Sequence, residues 1–140
     1  MIALILSSVL ALASPEPSPA CHGGDISVTD MRINVVKGST RTATADRLLI
    51  TGNFTNVGTA SQEPHTLQHA ELLRGGVVVG SQPLPALAQN VTYPLQFRIF
   101  RDTSERTDPI ALTVRYVLDG PKRANRNNCT LTNDSMSKTF

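Results

Sequence analysis

The chain has few aromatic side chains: no tryptophan, two tyrosines and four phenylalanines among 140 residues. Sites for carbohydrate or single-stranded nucleic acid usually rest on exposed aromatic platforms, so this scarcity argues against both. Charge is also sparse, at 17% of residues with a net +2. The positive side chains Arg41, Arg47, Arg74, Arg98, Arg101, Arg106 and Arg115 are scattered, and only Lys122, Arg123 and Arg126 form a tight group. That spread describes a solvated surface and not a nucleic-acid footprint. Catalytic signatures are missing too. There is no G-x-S-x-G, no phosphate-binding or dinucleotide glycine pattern, and no pair of His around a Glu. The aspartates are spread out, without the dense D-x-D-x-D spacing of calcium loops. We therefore expect neither an enzyme nor a cofactor.

Long apolar runs are confined to the first residues, Met1 to Ala13. A run of about a dozen residues is too short for a bilayer, which needs roughly 20. Small residues at Ala11 and Ala13 precede Ser14, and Ser18 and Ala20 precede Cys21. Pro15, Pro17 and Pro19 then forbid a continuing helix or a central strand. The pattern reads as a signal peptide with a Pro-rich junction over residues 1–20, although its start carries no Lys or Arg. Lipidation of Cys21 is the competing reading. It is weakened by Ser18, which stands where a lipobox needs a branched apolar residue. The expectation is one exported domain over residues 21–140, periplasmic or extracellular, with no membrane span. Cys21 and Cys129 are the only cysteines. In an oxidising compartment an isolated pair reads as a disulfide, here joining the two ends of the fold. Closing a loop of about 100 residues constrains the unfolded chain by roughly 4–5 kcal/mol in the chain-entropy picture.

Strand signals recur along the rest of the chain. Ile26 and Val28 alternate, and then the apolar phase jumps to Met31, Ile33 and Val35, which predicts a bulge or a change of sheet. A second strand is expected over about 42–55, with Leu48, Ile50 and Phe54 in phase and Asn56-Val57-Gly58-Thr59 as the turn that ends it. Residues 64–74 suit either a short helix or a strand, and the all-β surroundings favour the strand. Arg74-Gly75-Gly76 predicts a hairpin into Val77-Val78-Val79. Val91, Tyr93, Leu95, Phe97 and Ile99 share one strand face, and so do Ile110, Leu112, Val114, Tyr116 and Leu118. Pro94 lacks an N–H, so its strand belongs at an edge. Asp119-Gly120-Pro121 reads as a turn, and a last strand is expected to contain Cys129 and Leu131 and run towards Phe140. About seven short strands with one-sided apolar faces predict an all-β, antiparallel two-sheet sandwich.

Several of these runs resemble the CARDB family of bacterial and archaeal Ig-like domains. They are Asp25-Ile-Ser-Val-Thr-Asp-Met-Arg32, the strand Leu49 to Phe54 closing on Asn56-Val57-Gly58-Thr59, the hairpin Leu72 to Gly80, Tyr116-Val-Leu-Asp119, and Asn125-Arg-Asn-Asn128. The resemblance covers about residues 25–140. It implies an Ig-like sandwich in a cell-surface or adhesion-related setting, although the cysteine pair and the His-containing middle strand depart from the family pattern.

His65, His69 and Glu71 are the one constellation with chemical potential. On a helix, the two His would share a face and could hold a metal. On a strand they would lie about 13 Å apart, and only His69 and Glu71 would be neighbours. His22, beside Cys21, could join a metal site at a free amino terminus. Four N-x-[S/T] sites, at Asn53, Asn90, Asn128 and Asn133, have meaning only on a eukaryotic secretory route. The expected function is a secreted or periplasmic, non-enzymatic binding or structural module that contacts a protein or cell-surface partner, with strand addition at a sheet edge as the natural mode. The alternative is a small exported metal-binding protein using His65, His69 and Glu71.

Overall fold

A computed structural model of the chain describes residues 22–38, 45–119 and 127–140. The leader, Cys21, Arg41, the Gly120-Pro121 turn and the Lys122, Arg123 and Arg126 group lie outside the described residues. Seven strands form two antiparallel sheets. They are β1 (Ile26–Val36), β2 (Ala45–Asn56), β3 (Gln68–Arg74), β4 (Val77–Pro83), β5 (Thr92–Asp102), β6 (Ala111–Leu118) and β7 (Ser135–Thr139). One sheet has the order β1-β2-β5 and the other β4-β3-β6-β7. In the constant-type immunoglobulin arrangement the fourth strand joins the sheet of the first two. Here it stays beside β3 in the opposite sheet.

The alternation that predicted the strands also builds the core. β2 buries every second residue along its length, and β6 buries Leu112, Val114 and Tyr116. Ile26, Met31, Leu48, Ile50, Phe54 and Leu72 are wholly buried between the sheets. The phase jump in β1 is a bulge: Val28 pairs with Phe54 and Asp30 with Asn53, so Thr29 has no partner across the ladder. The extra residue returns Met31 to the core face. Residues 68–74 form a strand, not a helix. The β3–β4 turn is the predicted hairpin, because Arg74 pairs with Val77 across Gly75 and Gly76, both at positive φ (56° and 82°). A two-residue turn of that hand matches the twist of the strands and suits glycine at both places.

Two expectations need correction. The last strand begins at Ser135, and Cys129 and Leu131 lie in the loop before it, where Leu131 is exposed. The loop stays out of the sheet because Asp25 and Asn128 hold it with side-chain bonds that replace a ladder. On β5 the core face runs through Leu95, Phe97 and Ile99 and continues to Arg101, whereas Val91 and Tyr93 are exposed. The apolar phase alone could not show that a charged residue extends this face while its first members overhang the end of the sandwich.

Candidate functional site

The His65, His69 and Glu71 set does not assemble as a ligand set. His65 precedes β3, exposed and at φ 63°, while His69 and Glu71 lie on β3. His69 Nδ1 is 2.6 Å from Asp119 Oδ2, and its Nε2 is 3.2 Å from Glu71 Oε1. Arg115 Nη2 reaches both Glu71 oxygens at 3.3 Å. Both imidazole nitrogens thus face carboxylates, and Glu71 is shared with a guanidinium. Burial disfavours the charged ring, but Asp119 and Glu71 outweigh it and raise the His69 pKa. The chemistry is that of an ion-pair chain across the outer face of the four-stranded sheet. Among the described residues, no group of three His, Cys, Asp or Glu side chains could hold a metal ion.

Two buried polar clusters hold the ends of the sandwich. Asn56 is fully buried at the end of β2. Its Oδ1 accepts from the N–H groups of Asp25 and Gly58, each at 3.0 Å. Its Nδ2 donates to the carbonyls of Ala60 (3.0 Å) and Leu87 (2.9 Å). The amide therefore uses its two donors and accepts twice, binding three separate segments at one point. Beside it, Gln62 and Gln68 exchange amide bonds at 2.7 and 2.9 Å, and the Tyr116 hydroxyl donates to Gln68 Oε1 at 2.5 Å. Burial pushes the Tyr116 hydroxyl far above its usual range, so it stays a donor.

At the opposite end, Asp46 is fully buried. It accepts from Arg106 Nη2 at 2.7 Å and Nε at 2.8 Å, from the Gly38 N–H at 2.9 Å, and from Arg101 at 3.4 Å. The Arg106 contact holds its carboxyl well below the ordinary range, against the opposing effect of burial. Arg101 also stacks over the Phe140 ring at 5.1 Å, fixing the chain's last residue. Apart from Arg101 Nε, which is buried without a partner, the polar atoms of these clusters bond one another and nearby backbone, which is the arrangement of structural clamps. One shallow cleft of about 280 Å³ lies by the β3–β4 hairpin, lined by Arg74, Gly75, Glu105, Asp108, Pro109 and Ile110 among others. An Arg74–Glu105 pair at 3.7 Å draws its walls together, and Asp108 is the second carboxylate on its lining.

The sheet edges differ more than the polar clusters do. β1 and β7, edges of opposite sheets, lie on one long side of the sandwich, which is closed. Val28 N–H donates to the Asn133 carbonyl at 3.0 Å, and Ile26 N–H to Asn128 Oδ1 at 3.2 Å. The other long side is formed by β4 and β5. β5 carries Pro94, Arg98 and Arg101, and the Gln82 amide donates to its Gln96 carbonyl. Proline and charge are the usual protections of an edge. β4, Val-Val-Val-Gly-Ser-Gln-Pro, has no charged residue. Val77, Val78 and Val79 are 65%, 46% and 44% exposed. Val78 stands opposite Leu73 on the outer face, and Val79 is bulged out of register between Val78 and Gly80. Three consecutive valines on an uncharged edge make an exposed apolar strip. Sequence reasoning saw these valines as a strand but placed the edge at Pro94. β5 is indeed an edge, but the topology also puts β4 at one, and a list of residue types cannot show which strand is left outermost.

No protein-family model, curated protein or solved structure matches the chain. Among the described residues, no helix is long and apolar enough to cross a membrane.

Proposed function

We propose that the protein is an exported, non-enzymatic β-sandwich of CARDB-like type that binds a protein partner through the β4 edge. The observation that carries this reading is the contrast between β4 and the other edges. β1, β5 and β7 each carry charge, but β4 offers exposed valines and unpaired strand backbone. An extended segment added there gains main-chain hydrogen bonds and covers apolar surface at once.

Export brings the Cys21–Cys129 bridge with it. Its support is that Cys129 Sγ lies 3.4 Å from the Gly24 carbonyl oxygen, three residues from Cys21. Residues Gly23 to Asp25 are themselves buried and bonded to the 57–60 turn, so a crosslink here would tie one firm element to another. Under denaturing, non-reducing conditions the exported chain should then take up no alkylating reagent until it is reduced.

The binding reading is tested with the full chain, tagged and crosslinked in its own host. A partner recovered by the wild type should be lost from a Val78→Lys/Val79→Lys variant and kept by Phe100→Lys, which alters an exposed apolar residue of β5. Equal recovery by all three proteins would remove the reading.

A further inference from the structure

We infer that Arg47 and Arg98 form a separate binding site for a phosphate group, on the outer face of the β1-β2-β5 sheet. The site lies away from the β4 edge and does not rest on that reading. The described residues hold seven arginines. Five are spent inside the molecule: Arg32 pairs with Asp30, Arg74 with Glu105, Arg101 and Arg106 with Asp46, and Arg115 with Glu71. Arg47 and Arg98 alone have no carboxylate partner among the described residues, and the register makes these two neighbours. Arg47 stands opposite Phe100, and Arg98 opposite Leu49, on the paired strands β2 and β5, so the two arginines are diagonal on one face. Diagonal neighbours lie about 7–8 Å apart, close enough for two guanidinium groups to close on one anion.

Two like charges side by side repel, and the fold leaves this repulsion uncompensated. The acids of the same face are occupied elsewhere. Asp30 holds Arg32 at 2.7 Å, and Asp102 accepts from the Ser104 N–H at 2.8 Å. Arg47 is half-buried, and its Nε is enclosed without a hydrogen-bond partner. Packing therefore fixes its stem while the fold makes no use of its charged end. Val36 and Phe100 flank it on the two neighbouring strands, and Phe100 is 61% exposed. The site thus offers one held guanidinium, one free guanidinium and an aromatic ring beside both.

The pair selects the anion. A carboxylate is planar, and a single guanidinium fork fills it. Two forks reaching in from different strands suit a tetrahedral group whose oxygens point in several directions. Two arginines also make a point contact and not a track, which keeps a nucleic-acid strand outside the proposal. A phosphate of this kind comes as a soluble ester or as a lipid headgroup, and in either case the exposed Phe100 and Val36 can cover the apolar part of its carrier. With two charge-assisted contacts at an open surface, affinity should be modest, with a dissociation constant on the order of 1 mM for inorganic phosphate.

The experiment is a titration of the nitrogen-15-labelled full chain with inorganic phosphate at constant ionic strength, read by amide chemical shifts. The expected result is saturable shifts centred on Arg47, Leu49, Arg98 and Phe100. Arg47→Gln and Arg98→Gln should each weaken binding about tenfold or more at an unchanged urea midpoint. Arg98→Lys, which keeps the charge and loses the fork, should fall between. Val78→Lys/Val79→Lys should bind phosphate as the wild type does. Vesicles separate the two sources, with the same leader present in every protein. Binding to phosphatidylglycerol but not phosphatidylcholine vesicles, weakened in the Gln variants and in Phe100→Ser, assigns the group to a lipid headgroup. Phosphate binding without that vesicle result assigns it to a soluble ester. No saturable shift up to about 50 mM phosphate overturns the inference. Equal shifts with chloride, or shifts that persist in both Gln variants, overturn it as well.

Discussion

The two long sides of the sandwich are built on opposite rules. The β1/β7 side is sealed by polar side chains that are themselves buried. Asp25 accepts from the Thr130 N–H at 2.8 Å and from Asn133 Nδ2 at 2.9 Å, and Asn128 bonds both Ile26 and Asp134. The β4/β5 side has the Gln82 bridge and leaves the β4 valines and, on β5, Arg98 and Phe100 to water. The closed side therefore holds interactions whose loss leaves desolvated groups unpaired, which is costly. The open side leaves its β4 valines about half exposed, so the fold should lean on them far less. The two sides can thus be broken separately.

The largest effect should come from Asn56, which anchors Asp25 and with it the start of β1. Asn56→Ala strands two N–H donors and two carbonyls, three of these four bonds being fully buried. At about 1–3 kcal/mol for each group left unsatisfied, discounted for partial rehydration, we expect about 4 kcal/mol of destabilisation by urea unfolding. A loss under about 1 kcal/mol would mean that the three segments hold without it. Gly58→Ala should come close to this. A Cβ there would sit 2.2 Å from the Gly23 carbonyl oxygen and 2.7 Å from the Asp25 nitrogen, so backbone must move.

Asp46 comes next. Asp46→Ala removes the acceptor from Arg101, which is 6% exposed, and from the partly exposed Arg106. Removing one partner of a buried ion pair typically costs about 3–5 kcal/mol. Arg106 can turn to water, so we expect the lower figure, about 3 kcal/mol, with Asp46→Asn between the two. Neither change should alter association through β4, which lies in the other sheet.

These polar anchors were the least legible part of the sequence. Asn56 reads there as one more turn residue, and the segments that use it come from 31 positions before and 31 after. Asp46 and Arg101 are 55 residues apart, and no periodicity links them. What local pattern could show was readable. The β1 bulge appeared as a phase jump, the hairpin as a glycine pair, and the edge position of β5 as Pro94. The uncovered edge of β4 was hidden for another reason. Whether a run of valines is core or binding strip depends on which strand pairs beyond it, and that is a property of the whole topology.

A smaller effect should appear with pH, again on the closed side. Burial first, and then the nearby Asp25 carboxylate, push Asp134 up to about 6 against the help of Asn128. A carboxyl raised in the folded state binds more protons folded than unfolded, so stability is lower above about pH 6 and recovers as pH falls towards 4. His69 acts in the same sense. Its raised pKa gives stability that is full below its unfolded value and lost as pH rises through the folded one. Stability should therefore be greater at pH 5 than at pH 8. Asp134→Asn should remove about 1 kcal/mol or less of that difference, the ideal value being reduced for partial exposure. A flat profile between pH 5 and 8 in the wild type would contradict both assignments.

The smallest effect on stability should come from the residues to which we assign the most function. Val79 is bulged out of the β3 register and 44% exposed, and Val77 is 65% exposed. Replacing either with threonine keeps the β-branch that suits a strand and removes little buried area. Surface changes of this kind usually stay within about 0.5 kcal/mol. Val77→Thr and Val79→Thr should therefore unfold at the wild-type urea concentration. A loss of about 2 kcal/mol or more would place these valines in the fold's own packing and return the open side to the same rule as the closed one.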